Sequence, residues 1–207
     1  MLRISEKIEK GEGLSIDEGV IIGYLSPRGG VSEKLIIGDN GRVRSGSVIY
    51  AGSTIGNNLE TGHNVVIREQ NEIGDDFSIW NNSVIDYGCK IGNGVKVHCN
   101  IYIPQYTVIE DDVFMAPGVT IANDIHPGCP ESGECMRGPV LKKGCRLGVN
   151  VVLVPYVTIG EETLVGAGSV VTRDLPPGVL AYGNPARVKA NLSELDCKTG
   201  RREAPYR

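Results

Sequence analysis

Large aromatic rings are scarce in this chain, with 2 Phe, 1 Trp and 8 Tyr among 207 residues. A sandwich core that leans on such rings is therefore not expected. No apolar run approaches the roughly 18 residues needed to cross a bilayer, so no membrane partner is expected. Positive charge is not in excess: 21 Lys and Arg face 25 Asp and Glu, a net charge of −4. That balance gives no general attraction to nucleic acid or to anionic lipid. The opening stretch MLRISEKIEKGEG has no apolar segment of the kind a secretory leader carries, and a cytoplasmic location with reduced thiols follows as the expectation. Gly is plentiful, at 28 residues against an average usage of about 7%. Val and Ile number 23 and 20 against 13 Leu. β-branched residues with frequent Gly disfavour helix, and Gly does not recur at every third position as collagen requires.

A period of six organises most of the chain. From Ile37 to Ile121, fifteen successive positions six apart include thirteen Val or Ile, the exceptions being Thr61 and Met115. The series resumes at Leu141 and runs through Leu147, Leu153, Ile159 and Val165 to Val171. Gly commonly follows the aliphatic residue, as at Gly38, Gly56, Gly74, Gly92, Gly148 and Gly166, and Asn and Asp crowd the next positions. Such residues tolerate positive φ and suit sharp corners. Short strands separated by corners every six residues predict an all-β chain, a parallel β-helix of about seven triangular coils rising roughly 34 Å. The expected organisation is an N-terminal cap over 1–35, repeats over 36–121, a protruding loop over 122–139, repeats and a closing turn over 140–187, and a tail over 188–207. Ser5–Lys10 reads as a helical turn, 20–25 as a strand over the open end of the core, and the start of the tail as a short helix.

The interrupting segment, ANDIHPGCPESGECMRGP, is long for a structureless stretch in a compact domain, and such loops are usually functional or disordered. It carries His126, Asn123, Asp124, Cys129 and Cys135. A free imidazole titrates near about 6.5 and accepts a proton at neutral pH.

The hexad pattern over roughly 36–190 resembles the hexapeptide-repeat acyltransferases. The resemblance implies a left-handed helix, where the general crossover preference would favour the right-handed one. It also implies a homotrimer with sites in the clefts between prisms. The segment Met115–Ile121 followed by His126-Pro127 is similar to the approach to the catalytic His in galactoside and maltose O-acetyltransferases. By that resemblance His126 is the general base, with His98 as the alternative base, Asn100 as an acceptor contact, and Asn123 and Asp124 orienting the base or touching acceptor hydroxyls. Val165–Asp174 and Gly183–Val188 match the family's closing section. Carried over, Gly148, Gly166, Ala167, Gly168 and Thr172 line a coenzyme A cleft, and Arg173, Arg187 and Lys189 pair with its phosphates. The implied function is transfer of an acyl group, acetyl by preference, from coenzyme A to an amine or hydroxyl of a sugar or nucleotide-linked sugar. Asp124–Gly128 also echoes a phrase in serine acetyltransferases, but there it introduces the repeats and here it interrupts them.

Other readings stay open. A non-enzymatic hexapeptide-repeat scaffold predicts no coenzyme A binding. Cys129, Cys135 and Cys197 lie outside the repeats and are candidates for a structural zinc site, with His126 or water as a fourth ligand. Cys89 and Cys145 fall at inward positions and are expected in the core. A γ-class carbonic anhydrase shares the fold and binds zinc through three His, but His63, His98 and His126 are 35 and 28 residues apart, whereas that class places two of them a few residues apart.

Overall fold

The structure, a computed structural model, describes residues 3–203, 205 and 206. The step of six becomes geometry directly. Thr54–Ile55, Glu60–Thr61 and Val66–Ile67 lie on three successive faces of a triangle. Each pairs in parallel with the strand 18 residues on: Ile55 with Ile73, Thr61 with Ile79, Ile67 with Ile85. Repetition builds three sheets of eight, ten and eight strands, wound as a left-handed parallel β-helix.

Corners are named here by the sheets they join. Corner 1 leads from the sheet containing Ile55 (sheet 1) to that containing Thr61 (sheet 2). Corner 2 leads from there to the sheet containing Ile67 (sheet 3), and corner 3 returns to sheet 1. The third residue of most corners has positive φ, including Asn58 (57°), Asp76 (56°), Asn82 (59°) and Asn100 (59°). Corner 1 is locked further by an Asx ladder, in which the backbone N–H of Asn57 donates to Asp75 Oδ1, that of Asp75 to Asn93 Oδ1 and that of Asn93 to Asp111 Oδ1, at 2.7–2.8 Å. This ladder explains the Gly at the start of corner 1 at Gly38, Gly56, Gly74 and Gly92. A Cβ at Gly56 would sit 2.3 Å from Asp75 Oδ1.

Inside the prism Val43, Ile49, Ile67, Ile79, Ile85, Val97 and Ile103 are fully buried. Each contributes about 1.5–3 kcal/mol by leaving water. Cys89 and Cys145 are buried among them, as expected from their positions.

Two stretches differ from the sequence expectation. The stretch read as a helical turn contains strand Ile8–Lys10, which pairs with Leu35–Ile37. With Ser15–Ile16 and Ile21–Tyr24 it forms a complete first coil, so the prism has eight coils, about 38 Å at the usual strand spacing. The hexad step is present there (Lys10, Ile16, Ile22), but an exposed Lys at the first position and a loop over 25–34 hid it: Ile16 pairs with Val43, 27 residues away where 18 is the rule. At the other end, the segment read as a short helix is strand Ala186–Asn191, antiparallel to Val179–Gly183 on the end of sheet 2, followed by a 3-10 turn at Leu192–Glu194. Between strands Thr120–Ile121 and Val140–Leu141 the chain leaves the prism and contains a four-residue helix, Ser132–Cys135. Both loops leave the prism at corner 3.

Candidate functional site

The stacking of coils decides which candidate residues meet. His98 and Asn100 turn corner 2 after strand Lys96–Val97. Gly148, then Gly166, Ala167 and Gly168, turn the same corner two and three coils further along. These candidates therefore form one column. Its top is Tyr182, whose Cβ would lie 2.9 Å from a Cβ at Gly166. Lys189 Nζ stands 5.3 Å from the centre of the Tyr182 ring, and Arg187 is exposed on the same hairpin.

Low on corner 2, the His63 amide is capped by Asn81 Oδ1 at 2.9 Å. Higher up, no Asx residue takes that place, and the N–H groups of Val149 and Ala167 donate to no acceptor among the described residues. Ala167 and Gly168 are exposed, and a Cβ at Gly148 would meet the Ala167 nitrogen at 2.6 Å. The column thus presents free backbone donors with little side chain in front of them, a surface suited to an extended amide-bearing ligand.

His126 lies at corner 3, on the opposite edge of sheet 3. It is exposed, and its backbone N–H donates to Asp124 Oδ1 at 2.9 Å, so Asp124 shapes the turn that carries the imidazole. Asn123 is almost wholly buried; its amide donates to Gln105 Oε1 at 2.7 Å. Thr172 and Arg173 turn corner 3 at the top of the prism, also across sheet 3 from the column. Within one chain, then, the structure gathers His98, Asn100 and the Gly-rich residues, and sets His126 apart from them. Asn100 in addition occupies the positive-φ position that Asn64, Asn82 and Asn150 share, so the corner alone accounts for its residue type.

Corner 3 holds a cluster that sequence reasoning missed. Arg68 forks onto Glu69, with Nε to Oε2 at 3.2 Å and Nη2 to Oε1 at 2.9 Å, and its Nη1 reaches Asp86 Oδ1 at 2.8 Å. Glu69 is fully buried and also accepts from Ser26 Oγ (2.9 Å) and Arg28 Nη1 (3.3 Å) in the first loop. Burial opposes ionisation of Glu69, but its own backbone amide, Ser26 and Arg68 outweigh burial and hold the carboxyl below its usual range. Asp86 Oδ2 accepts from Tyr102 OH (2.6 Å) and Gln105 Nε2 (2.7 Å). Desolvation, reinforced by the Asp86 bond, pushes the Tyr102 phenol well up. The signal in the sequence was Arg68-Glu69 followed by Asp86 one coil later, three charged residues recurring near the 18-residue coil spacing.

No protein-family model matches the chain, and no curated protein matches it. Solved structures do. An inferred acetyltransferase from Bacillus cereus is 27% identical, with 72% of this chain and 79% of that one aligned at a TM-score of 0.55. The UDP-N-acetylglucosamine O-acyltransferase of Moraxella catarrhalis aligns over 91% of this chain and 74% of its own at a TM-score of 0.52, with 20% identity, and attests the fold alone. A galactoside acetyltransferase in complex with coenzyme A is 30% identical over 56% of this chain, which spans 65% of that protein, at a TM-score of 0.45. The chain has the hexapeptide-repeat acyltransferase fold. Among the described residues of this hexapeptide-repeat protein, no three His, Cys, Asp or Glu side chains come together to hold a metal. Cys129 Sγ donates to Glu131, while Cys197 Sγ bonds Thr199 Oγ1 at 3.2 Å in the tail. His63 lies at corner 2 bonded to Ser45 Oγ, away from the His126 loop. The residues therefore do not fit the zinc site considered for Cys129, Cys135 and Cys197, nor a three-His one. No helix among the described residues is long and apolar enough to cross a membrane.

Proposed function

We propose that this protein transfers an acetyl group from acetyl-coenzyme A to a hydroxyl or amine of a sugar or nucleotide-linked sugar. The observation that carries the reading is the corner-2 column: uncapped amides at Val149 and Ala167 behind Gly148, Gly166 and Gly168, ending at Lys189 and Arg187. Such a strip suits an extended pantetheine arm with phosphates at the basic end. Likeness to the Bacillus cereus protein supports the same reaction class.

His126 and the column are on opposite edges of sheet 3, and this motivates a homotrimer. The outward strand positions of that sheet are Val48, Val66, Val84, Tyr102, Thr120, Val152 and Val170, with no charge among them. Sheets 1 and 2 carry Glu72, Lys90, Arg42, Lys96 and Arg146 at equivalent positions. An apolar ladder repeating at the coil spacing is matched by another with the same repeat, which a second copy supplies. Cyclic packing on sheet 3 would bring corner 3 of one copy beside corner 2 of its neighbour.

In that cleft the imidazole of His126 takes the acceptor's proton as the acceptor oxygen or nitrogen bonds to the acetyl carbonyl carbon. The carbon–sulfur bond then breaks, and the imidazolium returns the proton to the departing thiolate. A free column amide would donate to the developing oxyanion. Titration calorimetry with acetyl-coenzyme A tests the reading; binding is expected, and a flat trace moves it to a non-enzymatic scaffold. His126→Ala, assayed by coenzyme A release over a panel of sugar acceptors, is expected to lose about 10²–10⁴-fold in kcat. Near-normal turnover would remove His126 from the mechanism.

A further inference from the structure

The two ends of the loop carrying His126 are bonded to each other through Asn123. Asn123, at its start, accepts at its backbone carbonyl from the Arg137 N–H at its end, at 2.8 Å. The Asn123 side chain in turn donates to Gln105 Oε1 one coil below (2.7 Å), and Gln105 Nε2 donates to Asp86 Oδ2 another coil below (2.7 Å). Asp86 Oδ1 accepts from Arg68, which forks onto Glu69, and Glu69 accepts from Ser26 and Arg28 of the first loop. An unbroken line of side-chain bonds thus joins the two loops along corner 3, across three coil spacings or about 14 Å from Glu69 to Asn123.

We propose that Asp86, Gln105 and Asn123 are positioning residues: this line fixes the neck of the second loop, and through it the place of His126, and ties that neck to the first loop. Three features favour positioning over a merely stabilising role. Every buried polar side-chain atom among the described residues has a partner, so the relay is satisfied and its geometry is over-determined. Its middle member, Gln105, has its amide engaged on both sides, donating at one end and accepting at the other, and so transmits position rather than merely filling space. Its upper end terminates on Asn123, whose carbonyl also holds the far strand of the loop neck, while Tyr156 holds that strand from the coil above through its OH on the Cys135 carbonyl. The role for His126 rests on the acyltransferase reading; the mechanical role does not.

Hydrogen exchange of the full-length protein, resolved to peptides of 124–136, tests the relay. Gln105→Met keeps the side chain's length and removes both of its side-chain hydrogen bonds, leaving only the longer bond from Asn123 Nδ2 to the Gln105 backbone carbonyl at 3.3 Å. Loop amides are expected to exchange at least tenfold faster, with kcat down about ten- to a hundredfold and the KM for acetyl-coenzyme A unchanged, because Gln105 supports the loop and contributes nothing to the column. Arg28→Ala is expected to speed exchange in the first loop strongly and in the second by about threefold. If Gln105→Met does not fold, Tyr102→Phe, which removes one donor to Asp86, carries the comparison with a smaller increase. Unchanged loop exchange in a folded variant overturns the relay even if His126 proves to be the base. Faster exchange in a protein without transferase activity would uphold the relay and sink the acyltransferase reading instead.

Discussion

Glu69 is where a single side chain carries the most. Its carboxylate is fully buried between two arginines and a serine, so Glu69→Ala leaves Arg68 half-paired inside the corner. Both arginines are partly exposed and Arg68 keeps Asp86, so the loss is that of charge-assisted hydrogen bonds, and about 1.5–3 kcal/mol is expected in urea unfolding. The pH dependence has a definite sign. The carboxyl's pKa in the folded protein lies below its ordinary value of 4.5, so below that pH the unfolded chain binds the proton more readily. The contribution of Glu69 is therefore present above about pH 4.5 and is lost as pH falls through the lowered value. The stability gap between wild type and Glu69→Gln should shrink on acidification; a gap that grows would contradict the assignment. At corner 2 the matching test concerns binding alone. Ala167 is exposed, so Ala167→Glu should leave melting unchanged while raising the KM for acetyl-coenzyme A at least tenfold, through bulk and repulsion of phosphate.

Strands and loops differ in how far they were legible. Inward Val and Ile at a step of six left little freedom, because each position had to face the same narrow interior, and the sheets follow that register without a slip from Ile37 to Ile121. The first coil was not legible, since an insertion over 25–34 shifts its register by nine residues. Nor was the corner-3 relay. Arg68, Asp86 and Gln105 are distant in sequence and look like surface residues until stacking brings successive corners within hydrogen-bonding reach. Within one chain the same stacking sets His126 and Asn100 on opposite edges of sheet 3, so one cleft can hold both only between two copies. It also suggests a decisive deletion. Removing residues 124–137 joins Asn123 to Gly138 and makes Ile121 to Leu141 a step of six. Gly138 would then occupy the place of Tyr106, which has a φ of 60° that glycine adopts freely. The shortened chain is expected to fold with an unchanged far-ultraviolet spectrum and to bind acetyl-coenzyme A, yet to transfer nothing. Loss of binding would mean that the loop supplies part of the cofactor surface.

For the whole molecule, the two halves of the proposed site lie on opposite edges of one apolar sheet, so activity should depend on assembly. Val66 and Val84 point outward from sheet 3 and are only partly buried. Replacing both by Glu puts like charges across the proposed contact. The sedimenting mass should drop to that of a single chain with secondary structure retained, whereas Glu72→Lys on sheet 1 should leave the mass unchanged. A mixing experiment separates assembly from chemistry. If each site takes His126 from one copy and the corner-2 column from the next, His126→Ala and Ala167→Glu chains are each strongly impaired alone at acetyl-coenzyme A well below the raised KM, but complement when co-expressed. In a random trimer, an interface works only when the chain giving His126 is the Ala167→Glu variant and the chain giving the column is the His126→Ala variant. Each has even odds, so activity should recover to about a quarter of wild type. Mixed trimers with no recovery would place both halves of the site within one copy, and the apolar ladder would then need another explanation.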